Sequence, residues 1–287
     1  MSRTTTTMRT RLVASLTGCI AGLISLTASA QFSSFWIDES TDFTGNGCQN
    51  SDLNNVGGPL DTALRTDFWF GDYWLNPDAW PQDFLESCSS TFGSGGLDNV
   101  AMDARYLAVY AGHGNTGRLQ YGFQNSGRCN VNLSTNSRLG SMNGSQAGFV
   151  MYLTSCTLRV ENTTTYANAQ WLRQQFGYHN SPSIHSQSPA GWWQRLWTQS
   201  PTSNKTQWLD TMEFDIDGDE DNSPVVVSHG STASQAASVR DTANLITGPW
   251  YSNGPRSGGP ACGAGQPAFF YNVVRRNNGS TAACLTN

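Results

Sequence analysis

Two residues with complementary chemistry stand at the ends of two apolar runs. His113 follows Tyr106-Leu107-Ala108-Val109-Tyr110-Ala111 and Gly112, and Gly114 comes directly after it. Cys156 closes the run Gly148-Phe149-Val150-Met151-Tyr152-Leu153-Thr154-Ser155. A thiol paired with an imidazole suits nucleophilic acyl transfer, because the thiolate attacks and the histidine lowers its pKa or carries its proton. Gly114 leaves room for a carbonyl to approach the backbone, and its N–H can help hold the developing oxyanion. The chemistry expected is acyl transfer from a peptide or amide, followed by hydrolysis, with no cofactor required. The competing reading makes His113 a turn histidine and Cys156 a buried small hydrophobe or half of a disulfide.

A second group of candidate ligands lies in one loop. Asp215, Asp217, Asp219 and Asp221 alternate along the chain, as in an oxygen cage for calcium. The loop departs from the EF-hand, since Glu220 stands sixth where Gly is needed and Val226 twelfth where Glu is needed. A solvated acidic turn is the plainer account. His229 in Val227-Ser228-His229-Gly230 follows the cysteine and reads as structural. No His-Glu-x-x-His and no Gly-x-Ser-x-Gly is present, so neither a zincin nor a serine-hydrolase elbow is expected.

The elements that must position His113 and Cys156 follow from the same runs. A continuous apolar run of this length reads as a strand buried on both faces, hence in a parallel sheet. The 42 residues between the two positions exceed the dozen that a parallel crossover needs. The strands can therefore be neighbours whose carboxyl ends meet at one edge, where open α/β sheets place their sites. Further strands are expected at Phe35-Trp36-Ile37 and Val225-Val226-Val227, with a hairpin around Leu119 to Phe123. Helices are expected from Gly58 through Phe68 with Pro59 in the first turn, near Tyr166 to Phe176, and across Ala233 to Ile246. Strands alternating with helices define an α/β sheet in a single domain.

At these residues the chain resembles the caspase–gingipain–legumain–clostripain superfamily of cysteine peptidases. The matching stretches are Val109 to Gly114 and Met151 to Cys156. It looks closer still to an uncharacterised group of secreted bacterial proteins with this core, through Gly96-Leu97-Asp98, Asp103 and Trp171 to Tyr178. The resemblance implies a caspase-like, Rossmann-like, mostly parallel sheet flanked by helices. It also implies a peptide or protein substrate, His113 as general acid/base, Cys156 as nucleophile, and the N–H groups of Gly114 and Cys156 as oxyanion donors. The Gln-Ala-Cys-x-Gly of caspases proper is absent; Thr154-Ser155-Cys156-Thr157-Leu158 stands in its place, so aspartate specificity does not carry over.

The N-terminus points to export. Arg3, Arg9 and Arg11 precede a mostly apolar stretch from Leu12 to Leu26, and Ala28-Ser29-Ala30 offers the small-x-small site of a signal peptide. Residues 1–30 are read as that leader, and residues 31–287 as one domain with an N-terminal extension and a C-terminal hairpin. The expected location is secreted or periplasmic, with no membrane attachment after cleavage. Loss of three arginines leaves 13 basic against 21 acidic residues, a net charge of −8. Lys205 is the only lysine, so the basic stripe that nucleic acid would require is missing. An oxidising compartment favours disulfides among Cys48, Cys88, Cys129, Cys156, Cys262 and Cys284. Position suggests Cys262–Cys284 as a staple of the C-terminal hairpin and Cys48–Cys88 as a second pair. A catalytic Cys156 then leaves Cys129 as the other free thiol. The six tryptophans Trp69, Trp74, Trp80, Trp192, Trp193 and Trp197 read mainly as core.

Overall fold

A computed structural model describes residues 34–86, 96–137, 147–167, 172–199, 202–214, 217–218, 220–246, 270–277 and 284. The leader 1–30, Cys88, Cys262, Asp215 and Asp219 lie outside the described residues. The apolar runs become β1 (Ser34–Glu39), β2 (Phe70–Leu75), β3 (Leu107–Ala111), β7 (Phe149–Leu153), β8 (Gln174–Tyr178), β9 (Pro224–Gly230) and β10 (Phe270–Arg275). They form one seven-stranded sheet in the order β2-β1-β3-β7-β8-β9-β10. The strands β2 to β8 in that order are all parallel, whereas β9 runs antiparallel to both of its neighbours, β8 and β10. The chain thus starts at β1, moves outward to β2, and then reverses through β3, which makes the β1/β3 boundary a topological switch point.

Both runs that carry the candidate chemistry are buried on two faces, as their composition requires. Every residue of β3 and of β7 is buried, and the register sets Tyr110 beside Tyr152 and Ala111 beside Leu153. Leu107 and Val109 enter one core, and Ala108 and Tyr110 enter the other. The first core is covered by α1 (Gly57–Thr66), α3 (Ser188–Thr198), α4 (Asn204–Met212) and α5 (Ala233–Thr242). Trp192, Trp208 and Phe176 pack there with ring centroids 5.3 to 5.7 Å apart. Such pairs contribute ~0.5–1.5 kcal/mol each beyond area burial. Of the six tryptophans, Trp69, Trp192 and Trp193 are core, while Trp74, Trp80 and Trp197 are exposed.

The second face carries, among the described residues, a small antiparallel sheet in place of long helices. Its strands are β4 (His113–Asn115), β5 (Arg118–Asn125) and β6 (Arg128–Asn132). Leu119, Tyr121 and Val131 pack from it onto Ala108, Tyr110 and Tyr152. The 3₁₀ turn Pro81–Phe84 completes the cover.

Two expected elements differ. Only α2 (Thr163–Ala167) is helical in the Tyr166–Phe176 region, and Gln174 to Tyr178 form β8. The glutamines look helical by propensity, but their side chains are buried and bonded across the sheet. Gln174 Nε2 donates to Ser228 Oγ at 3.1 Å, Asn204 Nδ2 donates to Gln174 Oε1 at 3.0 Å, and Gln175 Nε2 lies 2.9 Å from His229 Nε2. Pairing between β7 and β9 overrides local preference. At the C-terminus, β10 lies antiparallel on β9, and Cys284 is bridged to Cys156, so the expected Cys262–Cys284 staple is not made, while the rest of the expected hairpin lies outside the described residues.

Candidate functional site

A crevice of about 260 Å³ opens at the carboxyl edge of the sheet over the switch point. Its floor comes from the ends of three strands: Glu39 and Ser40 after β1, Gly112 and His113 after β3, and Leu153, Thr154 and Ser155 after β7. Leu53, Asn54 and Val56 close one side, and Ser181, Pro182, Ser183 and Ile184 the other. Among the described residues the lining is mostly hydroxyl and aliphatic, with Glu39 its only carboxylate and no lysine or arginine.

His113 reaches this crevice because β3 ends at Ala111 and the chain folds back into the β4–β5 hairpin. Gly112 permits that corner, since the Tyr110 hydroxyl stands 2.5 Å from where a Cβ would be. The half-buried His113 ring meets Phe43 edge-on at 4.8 Å. Its Nε2 lies 2.7 Å from the Ser51 carbonyl oxygen and 3.2 Å from Ser51 Oγ. A carbonyl only accepts, so Nε2 carries the proton and donates it to Ser51. Burial lowers the His113 pKa, partly offset by that hydrogen bond, and the ring is neutral at pH 7. Gly114 lies in β4 opposite Leu119. The space its missing side chain leaves is filled by Thr154 Oγ1, 2.2 Å from an ideal Cβ, and by Arg118 O.

Cys156 differs from expectation in three respects. Its sulfur is bridged to Cys284, across 128 residues of sequence, with Cα atoms 5.6 Å apart. It is fully buried, and the crevice wall is made by its neighbours Leu153, Thr154 and Ser155. Its N–H donates to Asn180 O at 2.8 Å, so it is not free to hold an oxyanion. The corner runs along the carboxyl end of β8, where Leu158 N–H donates to Tyr178 O, and Cys156 takes the left-handed conformation at φ 56°. Such a residue costs ~1–3 kcal/mol and persists only where its surroundings hold it. Here the bridge and the Asn180 bond hold it, together with Arg159 N–H, which donates to Cys156 O at 3.3 Å. The bridge leaves no thiol to ionise, which removes the nucleophile from the expected dyad. The second bridge is Cys48–Cys129, so Cys129 is not a free thiol. Cys284 pairs with Cys156 and Cys48 with Cys129, in place of the expected Cys262–Cys284 and Cys48–Cys88.

Glu39 was not legible as a site residue. Its Oε1 accepts from Val56 N–H at 2.6 Å and Gly57 N–H at 2.9 Å, which caps the start of α1. Its Oε2 accepts from Tyr73 Oη–H at 2.6 Å, and Asn55 Nδ2 donates to that hydroxyl at 2.7 Å. A helix N-terminus at a switch point attracts anions; here the protein's own carboxylate occupies it. Thr154 Oγ1 is buried at the crevice without a hydrogen-bond partner. In the acidic loop, Asp217 and Asp221 are exposed, and no metal-binding group of three or more His, Cys, Asp or Glu occurs among the described residues.

No protein-family model matches this chain, and no curated protein matches it. Among solved structures, a secreted C11 cysteine protease from Bacteroides thetaiotaomicron, bound to an irreversible peptide inhibitor, is similar at a TM-score of 0.33 and 10% identity. The match covers 68% of this chain and 66% of that one, and a likeness so distant carries no argument about chemistry. The class defined by the chain itself is a mixed α/β protein with a seven-stranded, mostly parallel sheet and four helices against it. No helix among the described residues is long and apolar enough to cross a membrane.

Proposed function

We propose that the disulfide-bonded protein is an exported ligand-binding protein that uses the crevice over the β1/β3 switch point and performs no thiol chemistry. The observation that carries this is the Cys156–Cys284 bridge, with Cys156 buried and turned out of a crevice that Ser155 and Thr154 line. The leader at residues 1–30 and two bridges fit a secreted or periplasmic location. The ligand that suits the lining is a short peptide segment, neutral or cationic, with one side chain of a size to fill about 260 Å³. Anions are disfavoured because Glu39 already holds the N-terminus of α1.

A second reading is a cysteine peptidase or amidase acting through His113 and Cys156. One observation favours it: both residues end neighbouring parallel strands at the same sheet edge. Peptide mapping without reductant, followed by labelling with iodoacetamide, separates the two. The binding reading expects a Cys156–Cys284 linked peptide and no label on Cys156. Labelling of Cys156 in unreduced protein, abolished by His113→Ala, establishes the peptidase reading instead.

A further inference from the structure

The crevice uses no tryptophan, yet Trp197 is 46% exposed on the last turn of α3. It borders a groove of about 520 Å³ between α1 and α3, within the ~300–1,000 Å³ of small-ligand sites. The groove shares no lining residue with the crevice. Small residues open it where the two helices meet. Thr62, Ala63 and Thr66 recur on one face of α1, and Ala190 joins them from the first turn of α3.

The aromatic wall is fixed before any ligand arrives. Trp197 stacks on the fully buried Trp193, with ring centroids 6.1 Å apart and planes 24° from parallel. Trp193 Nε1 also donates to Asp67 Oδ2 at 2.6 Å, so one buried indole positions both the exposed ring and the carboxylate. Such rigidity lowers the ordering cost of binding.

The polar groups of the groove select the ligand. Asp67 Oδ1 has no partner among the described residues. The side-chain amides of Gln187 and Gln194, both exposed, make no hydrogen bond among the described residues. Thr62 Oγ1–H donates to Gly58 O at 3.1 Å and Thr198 Oγ1–H to Gln194 O at 2.8 Å. Each hydroxyl proton is thus committed, and each oxygen is left to accept. Acceptors outnumber donors, so a fitting ligand brings O–H or N–H donors together with a flat apolar face. No lysine or arginine lines the groove among the described residues, so phosphates and carboxylates lack a counter-charge. A quaternary ammonium would suit Asp67 and Trp197 but leave the amides without partners. A pyranose ring meets both demands, because its C–H face stacks on indole and its hydroxyls both donate and accept.

We propose that the α1–α3 groove binds a neutral oligosaccharide, with one pyranose ring on Trp197 bonded to Asp67 and Gln194 and further rings extending toward Gln187. Ten residues of helix separate Gln187 from Trp197, ~15 Å of rise, or about three linked rings. The site is independent of the ligand that the crevice takes.

The test titrates the disulfide-bonded protein with cellohexaose, chitohexaose and maltohexaose by isothermal calorimetry, beside glucose and tetramethylammonium chloride. At least one hexasaccharide should bind, and more tightly than glucose. Trp197→Ala should weaken that binding about tenfold or more, as loss of an aromatic anchor does, and Asp67→Asn several-fold. Trp80→Ala, which removes an exposed tryptophan outside the groove, should leave it unchanged. If Trp197→Ala does not fold, oxidation of the wild type by N-bromosuccinimide decides. The bound hexasaccharide should slow oxidation of Trp197 and not of Trp80, read by peptide mass, and equal rates with and without it overturn the proposal. So do the absence of saccharide binding at about 10 mM, well above a millimolar Kd, an affinity unchanged in folded Trp197→Ala, and binding of tetramethylammonium alone.

Discussion

The corner after β3 and the corner after β7 begin from the same signal and end in opposite states. Each follows a five-residue strand buried throughout, and each carries a residue with acid–base or nucleophilic chemistry at the sheet edge. The β3 corner folds back through Gly112 into a hairpin that holds His113 against Ser51 at the crevice. The β7 corner passes Thr154 and Ser155 along the crevice, then turns away in a left-handed Cys156 bridged to Cys284. The open corner is polar and half-buried; the closed one is a staple. The comparison teaches that a reactive residue type at a strand end is licensed by the direction its loop takes afterwards, which neighbouring segments impose.

The largest effect should come from the closed corner. Cys284→Ser is expected to cost ~2–5 kcal/mol, as loss of a bridge closing a long loop does, read by denaturant titration. Cys156→Ser should cost about the same, and the double variant no more than either single one. A Cys284→Ser protein with unchanged stability would break the comparison by showing that Cys156 is no staple. Next is Glu39→Gln, where one amide oxygen replaces a carboxylate accepting three hydrogen bonds. A loss of ~1.5–3 kcal/mol is expected for bonds to a buried charged group, and equal stability would remove Glu39 from the support of the crevice.

At the open corner, His113→Gln should cost ~1 kcal/mol through the Ser51 bond. The His113 pKa is lowered by burial, so its unfolded form binds protons first and its stabilising contribution falls as pH drops below about 6.5. The stability difference between wild type and His113→Gln should therefore shrink on acidification; a difference that grows would reverse the assignment of a neutral, Nε2-protonated ring. Thr154→Val removes a buried hydroxyl without a partner and should alter Tm little, within ~1 kcal/mol, while weakening peptide binding at the crevice. The smallest effect is expected from calcium, which should leave Tm unshifted if residues 215–221 are a solvated turn; a rise in proportion to log concentration would show a native-state site.

Strand positions were legible wherever apolar residues were continuous, because burial on both faces leaves a run that no surface element tolerates. That reasoning located β3, β7 and β9, and Pro59 marked the first turn of α1. It missed β8, because buried Gln174 and Gln175 are polar and their acceptability depends on Ser228, Asn204 and His229, all distant in sequence. It also mispaired the cysteines. Proximity along the chain suggested Cys48–Cys88 and Cys262–Cys284, whereas Cys48 meets Cys129 across the β4–β5–β6 sheet and Cys284 returns to the β7 corner.

The sequence by itself determined the buried strands β3 and β7 and the sheet edge to which His113 comes. These follow from local hydrophobic pattern and chain reach. Tertiary structure alone decided which polar groups face one another: the bridge that closes Cys156 and the Glu39 carboxylate on the start of α1. Those outcomes depend on contacts between segments far apart in the chain, and hydrogen bonds and disulfides require atomic distances that residue spacing does not encode.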